Sequence, residues 1–312
     1  MSSVPLLFDL SGRGHVVLSG KDRVAYLHGL VTNDIKKLAP GQGCHAGLLT
    51  PKGKLLVDLT ALALADSIVL DTEPGLVEKL EGLLRKYLIF QEVEIANRTA
   101  ETAVLHVAGE GALDTLTRLG LADPPDAPHA HAVLTGGLGP VHVVHEARTG
   151  SSGYDLRLPL AEAPGLVAAL ALEPSAPALL ERLRILAGLP RWGAELSEDV
   201  LPNEARFERD AISYNKGCYI GQETTARIKT YGHVNRLLCH VVFPSDSRVE
   251  PGAELFAGDQ KAGAVTSVTT ADDGRVVTLA FVKRDHAAPG TPLHAGELAG
   301  TVADLPSPPL AF

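Results

Sequence analysis

Apolar positions recur along this chain with two different periods, and their alternation predicts a mixed fold. Residues 15–19 read as a strand, Gly20 as a turn, and 22–31 as a helix with Val24, Leu27 and Val31 on one face. Residues 55–64 and 67–70 predict two strands around a turn at Ala65 and Asp66. A helix follows Pro74, with Leu76, Leu80, Leu83, Leu84 and Tyr87 at helical spacing. The pattern then returns, with a strand at 103–107, a turn at Ala108 and Gly109, and a helix at 111–119. The fragments VVLSGKDRVAYL and VLHVAGEGALDTL each place a glycine between an apolar strand and a helix. A duplicated unit and the common strand–glycine–helix grammar account equally well for this echo.

Residues 121–131 are rich in Pro, Ala and Asp and read as a surface linker. Strands at 141–145 and 154–158 and helices at 166–172 and 177–187 follow. Residues 188–214 have little apolar periodicity and predict a long ordered crossing packed against a cleft. From Cys239 onward, HVVF, AELF, AGAVTSV, VVTLAFV and LAGTVADL are separated by Pro-Gly, Gly-Asp and Asp-Asp-Gly turns. That spacing predicts a small antiparallel barrel or sandwich. The expected division is 1–236, with subdomains of about 1–100 and 101–236 exchanging segments, and a C-terminal β-barrel over 237–312. The ending PSPPLAF reads as an exposed or docked tail.

The 312 residues are 45% hydrophobic, enough for two or three domains. A formal net charge of -9 excludes a uniformly polycationic surface, so direct sequence-specific nucleic-acid binding is not expected. Cys44, Cys218 and Cys239 form no close pair, which suits a reducing compartment. The start MSSVPLLFDL lacks a secretory pattern, and no apolar run reaches membrane-spanning length. The expectation is a cytoplasmic monomer without a membrane partner.

The densest candidate chemistry is the run Lys216, Gly217, Cys218, Tyr219, Ile220, Gly221, Gln222, Glu223. A thiol between glycines, just ahead of a helix start and near Lys216 and Arg227, is placed to favour thiolate. It reads as a nucleophile, a redox thiol or a transient cluster ligand, or else as a small residue packed beneath a turn. Glu223 and Arg227, four apart, fit a surface ion pair; Arg227 with Lys229 also fits a basic rim. Asp58 in an apolar strand and Glu204 in the crossing are carboxylates that need partners. Each could pair with a cation or accept the paired N–H donors of a nitrogen heterocycle. In RTGSSGYDL, Arg148 fits a carboxylate clamp or a turn arginine satisfied at the surface, and Tyr154 a candidate aromatic wall. Gly12-x-Gly14 and Gly41-x-Gly43 make no dinucleotide fingerprint. The scattered histidines match no zinc spacing, so no metal held permanently by this chain is expected.

KGCYIGQETTAR closely resembles the signature of the YgfZ family of folate-binding iron–sulfur cluster assembly and repair proteins, within the glycine-cleavage T-protein superfamily. VVLSGKDRVAYLHGLVTNDI, LLTPKGKLLVDL, RTGSSGYDL, LRILAGLPRWGAEL and LPNEARFERDAISYN resemble it too, so the likeness spans nearly the whole chain. The resemblance implies an α+β, T-protein-like fold: mixed α/β units with antiparallel sheets around a central channel, plus a C-terminal antiparallel barrel. It implies tetrahydrofolate or a one-carbon derivative as ligand, with Asp58, Arg148, Tyr154 and Glu204 as contacts. It further implies Cys218 as the functional thiol, and iron–sulfur proteins or cluster-assembly factors as partners, possible clients including tRNA-modifying enzymes. The competing branch, aminomethyl transfer to tetrahydrofolate, usually carries paired acidic residues where this chain reads Val57 and Asp58, and lacks the thiol. A folate-free scaffold for protein partners is a third alternative.

Overall fold

The computed structural model describes residues 4–306. Strand β1 (Leu6–Asp9) is followed by β2 (Gly14–Ser19), α1 (Arg23–His28), β3 (Gln42–Leu49), β4 (Leu55–Ala63), β5 (Ser67–Thr72), α2 (Val77–Tyr87) and β6 (Glu94–Asn97). Then come β7 (Thr102–Ala108), α3 (Ala112–Arg118), β8 (His131–Gly136), β9 (Gly139–Glu146), β10 (Gly153–Pro159) and α4 (Ala163–Leu170). Helix α5 (Pro177–Leu186) leads into a long crossing, and α6 (Gln222–Tyr231) into the last six strands. These are β11 (Arg236–Phe243), β12 (Glu254–Ala257), β13 (Gln260–Thr270), β14 (Val276–Lys283), β15 (Pro292–Ala295) and β16 (Leu298–Ala303). They close into an antiparallel barrel, and the expected α+β class with antiparallel sheets and a C-terminal barrel holds.

The two fragments of the sequence echo fall at matching places in a repeated topology, β2–α1 and β7–α3. One sheet has the order β3-β4-β5-β2-β6 and the other β8-β9-β10-β7-β1, so each unit runs strand, helix, three-strand meander, helix. The copies differ at one edge. The first unit fills the place beside β2 with β6, which follows its own second helix. The second fills the place beside β7 with β1, from the other side of the first unit.

Alternation along the strands decides what each face meets. In β5, Ile68 and Leu70 join the core beneath α1 and α2, while Val69 packs with Val144 of the other sheet. In β10, Tyr154, Leu156 and Leu158 join the core beneath α3 and α4. Asp155 and Arg157 lie on the opposite face. The sheets therefore stack through faces carrying charge as well as apolar groups. Arg157 donates to Asp71 and, at 3.0 Å, to Asp155. Arg148 donates from Nε to Asp155 at 2.9 Å and from Nη2 to Asp71 at 3.3 Å, and Arg13 from Nε to Asp71 at 3.0 Å. Arg13 also pairs with Glu73. Asp71 faces His15 across its ladder and Arg157 faces Val104. His15 and Val104 each stand five residues before the left-handed glycine ending their strand, Gly20 and Gly109. The bonded pair Asp71–Arg157 thus occupies matching places in the two copies.

Several strands escaped the sequence reading: β1, β3, β6, β8 and β15. Strand β3 carries Gly43 where chain from the second unit crosses it closely, and Gly47 where Leu55 of the neighbouring strand packs. A Cβ on Gly43 would stand 2.7 Å from the His129 carbonyl. The helix expected over 22–31 ends at His28, and the one expected over 166–172 begins earlier, with Pro164 in its first turn. Of the expected tail, residues 307–312 lie outside the described residues.

Burial alone would raise the carboxyl pKa of Asp71, but Arg13, Arg157 and Arg148 outweigh it and hold it well below the usual range. Its stabilising contribution is therefore full above the ordinary carboxylate pKa and is lost as pH falls through the depressed value. In urea unfolding at neutral pH, Asp71→Asn should cost about 3–5 kcal/mol, since it strands buried guanidinium charge. Lys21→Ala, which breaks an exposed pair with Glu92, should cost less than about 1 kcal/mol. Similar losses in the two variants would contradict a central role for the buried network.

Candidate functional site

A cavity of about 770 Å³ lies where the two units, the crossing and the segment after the barrel meet. Asp58 and His45 come from the first sheet, Arg148 from the loop after β9, Arg184 from α5, Asp210 from the crossing and Leu305 from beyond β16. The volume falls in the range of small-molecule and cofactor sites. The crossing, expected to pack against a cleft, supplies one wall from Gly188 to Asp210. It is anchored by Leu196 and Phe207, which join Leu49 and Leu55 of the first sheet and Leu238 and Leu279 of the barrel in one core cluster.

At one place in the wall His45 stands between two carboxylates. Its Nε2 bonds Asp58 and its Nδ1 bonds Asp210 at 3.1 Å, and the Phe207 ring packs 4.9 Å away, centroid to centroid. Burial would lower the imidazole pKa, but Asp210 and Asp58 outweigh it and hold it well above its ordinary value. Burial likewise would raise Asp210, and the His45 cation holds it down. The geometry follows from local structure. β3 and β4 are antiparallel neighbours, with Gly47 opposite Asp58 and His45 opposite Thr60. Asn33 ties the crossing to β3, donating to the carbonyls of His45 at 2.8 Å and Asp210 at 2.9 Å. Thr32 Oγ1 adds a bond to the Ala211 carbonyl at 2.6 Å.

Elsewhere in the wall Arg206 and Arg209 supply positive charge. Among the described residues neither forms an ion pair; Arg206 Nε donates to the Leu238 carbonyl at 3.3 Å and Arg209 to the Pro306 carbonyl at 3.0 Å. Arg206 is left-handed, with φ +67°, a conformation that costs a side-chain-bearing residue about 1–2 kcal/mol. Arg148 also lines the cavity, but its guanidinium is bound to Asp155 and Asp71 rather than held at the surface.

The other expected contacts lie apart from the cavity wall. Tyr154 is buried in the second unit's core, its ring 5.3 Å from His145. Glu204 is buried too, accepting from the Leu201 amide at 3.2 Å and from Arg236 at 3.1 Å. Cys218 is exposed but is absent from the lining, whereas Cys44 and Cys239 are buried. Burial pushes the Cys44 thiol up to about 12 and raises Cys239 also. Among the described residues no cluster of three His, Cys, Asp or Glu is placed to hold a metal ion.

The loop carrying Cys218 is fastened on both sides. Lys216 donates to the carbonyls of His28 and Val31 at 2.6 Å and of Asn33 at 2.8 Å, and its Nζ lies 4.9 Å from the Tyr219 ring centroid. Burial draws the Lys216 pKa down to about 8. On the other side the chain turns into α6 at Gly221, with φ +81°, where a Cβ would meet the Thr50 carbonyl at 2.5 Å. Thr224 Oγ1 donates to the Lys52 carbonyl at 3.0 Å. The cations expected to favour a thiolate are thus engaged elsewhere: Lys216 with carbonyls, and Arg227 with Glu223 at 2.6 Å.

His45, Phe207 and Asp210 were not singled out from sequence. The available signal was a histidine thirteen residues before Asp58, across the turn at Pro51–Gly53 that puts the two on neighbouring strands.

Residues 3–216 match the family described as the GCVT N-terminal domain. A chloroplastic protein of Arabidopsis thaliana, provisionally named a transferase, is 30% identical over 96% of this chain and 71% of its own length. The aminomethyltransferase of Mycobacterium tuberculosis is 30% identical over 89% and 77%, and that of Halalkalibacterium halodurans 28% over 91% and 80%. The crystal structure of glycine cleavage system aminomethyltransferase T from Bartonella henselae superposes with a TM-score of 0.89 at 22% identity, covering 99% of this chain and 87% of that one. At that identity it shows a shared fold.

Brief alkylation of the native protein at neutral pH, followed by peptide mass mapping, should label Cys218 and leave Cys44 and Cys239 unmodified until denaturant is added. Equal labelling of all three would contradict the packing described.

Proposed function

The chain belongs to the family of the GCVT N-terminal domain, and from that premise we propose that its cavity binds a reduced folate, tetrahydrofolate or a one-carbon derivative, in folate-dependent one-carbon chemistry. The observation that carries this reading is the Asp58 carboxylate in the wall of a cavity of about 770 Å³, held by a charged His45. The heterocycle of a folate presents an amidine-like edge with adjacent N–H donors, which a fixed carboxylate binds well. Arg206 and Arg209, free of ion pairs among the described residues, suit the ligand's acidic tail.

Two readings of the chemistry extend this one. Transfer of a one-carbon unit to tetrahydrofolate is supported by the relatives named aminomethyltransferase. Support of iron–sulfur enzyme assembly or repair is favoured by one observation, the exposed Cys218 in a loop fastened at Lys216 and Gly221. An assay with aminomethylated lipoyl carrier protein and tetrahydrofolate separates them. Methylenetetrahydrofolate and ammonia would sustain transfer. Folate binding without turnover, with cluster-enzyme activity lost on gene deletion and not restored by Cys218→Ala, would sustain the accessory role.

Calorimetry should show wild-type protein binding reduced folate and Asp58→Asn binding about 10- to 100-fold more weakly, the range for losing a hydrogen bond to a charged group. No binding by folded wild-type protein at millimolar ligand would refute the folate assignment.

A further inference from the structure

We infer that His45 is a positioning residue for ligand recognition in the cavity, clamping Asp58 of the sheet to Asp210 of the crossing and making engagement of a reduced folate dependent on pH. This rests on the folate reading above.

The geometry dictates the protonation logic. Each ring nitrogen of His45 faces a carboxylate, Nε2 towards Asp58 and Nδ1 towards Asp210. Only the protonated ring donates from both nitrogens. A neutral imidazole would turn a lone pair against one carboxylate. The groups facing the ring or its partners come from three directions. Asp58 comes from β4; Asp210, with Glu208 and Arg209 beside it and the Phe207 ring, comes from the crossing; His129, from the stretch before β8, acts on Asp210. The two bonded carboxylates set the balance, and they keep the proton on the ring beyond neutrality.

Two consequences follow for a ligand. With the proton in place, Asp58 Oδ1 is committed to His45, and the second oxygen is what remains for a ligand N–H. The three groups then carry one net negative charge, suited to an N–H-rich edge rather than to a carboxylate. When the proton leaves, Asp58 and Asp210 repel across a neutral ring. Asp210 belongs to the crossing, so that wall loses a tie to β3 and keeps the Asn33 and Thr32 bonds. The sign is that of a group whose pKa is raised by its partners: affinity is full below the ordinary imidazole range and falls as pH rises through the raised value.

The test is calorimetry with 5-formyltetrahydrofolate, a chemically stable reduced folate, from pH 6 to 10. Wild type, His45→Gln and Asp210→Asn are compared, each checked for folding by circular dichroism. Wild-type affinity should fall by about tenfold or more on the alkaline side, as a charge-assisted contact is lost. His45→Gln should bind about tenfold more weakly at pH 7 and lack that decline. Any ionisation of the ligand itself would appear in both. Asp210→Asn removes one carboxylate partner, so its midpoint should move to lower pH. Wild-type binding with the same affinity and alkaline decline in His45→Gln would overturn this inference alone. An unmoved midpoint in Asp210→Asn would count against it as well. No binding by wild type at any pH would overturn the folate reading and this inference with it.

Discussion

Three guanidiniums and two aspartates packed between the sheets, with Glu73 at their cavity edge, set the geometry of everything around them. Arg13, Arg148 and Arg157 meet Asp71, Asp155 and Glu73, so the charges balance within the group. Taking such ions out of water is costly, and their attraction offsets that cost only when the geometry is good. The forks of Arg148 and Arg157 each touch both aspartates, one from each sheet. An apolar interface would tolerate a slide of one sheet on the other, whereas a fork bonded to two fixed carboxylates does not. Because Arg13, Glu73 and Arg148 also line the cavity, the network fixes the cavity wall along with the sheet stacking.

The cavity exploits an asymmetry in the repeated topology. The hairpin of β3 and β4 contributes His45 and Asp58, while the matching hairpin of the second unit contributes Glu146 at the end of β9. The missing symmetry partner is replaced by the crossing, which brings Phe207 and Asp210. That segment can be irregular because neighbours satisfy it at many points: Asn33 and Thr32 from the first unit, Arg236 and Leu238 from the barrel.

Much of this architecture was legible in the sequence because it rests on local rules. Apolar alternation located β4, β5, β7 and β10, helical spacing located α2 and α5, and turn chemistry located the barrel strands. The long aperiodic crossing was informative for the opposite reason, since a stretch of that length must be held by something outside itself. Strand β3 was invisible because its glycines answer to tertiary neighbours, Gly43 to the His129 carbonyl of the second unit and Gly47 to Leu55 across the hairpin, a demand that lowers local strand propensity. The site was half legible. Asp58 stood out as a charge among apolar residues. His45 did not, because its meaning depends on Asp58 across the hairpin and on Asp210, 165 residues away. Arg148 was recognised as a fork, but its partners lie on strands of both sheets.

Strand β1 gives the repeat a threaded form. The edge of the second sheet is closed by residues that precede the whole first unit, so the first unit's sequence lies between two pieces of the second. No single crossover in a gene can therefore pass on the second copy intact without the first. A recombinant carrying only the part after β6 would inherit a sheet with the flank of β7 bare. One carrying only the part before β7 would inherit a strand with nowhere to pair. The second unit is bound to travel through descent with the first, which is a stronger linkage than their shared interface alone would impose.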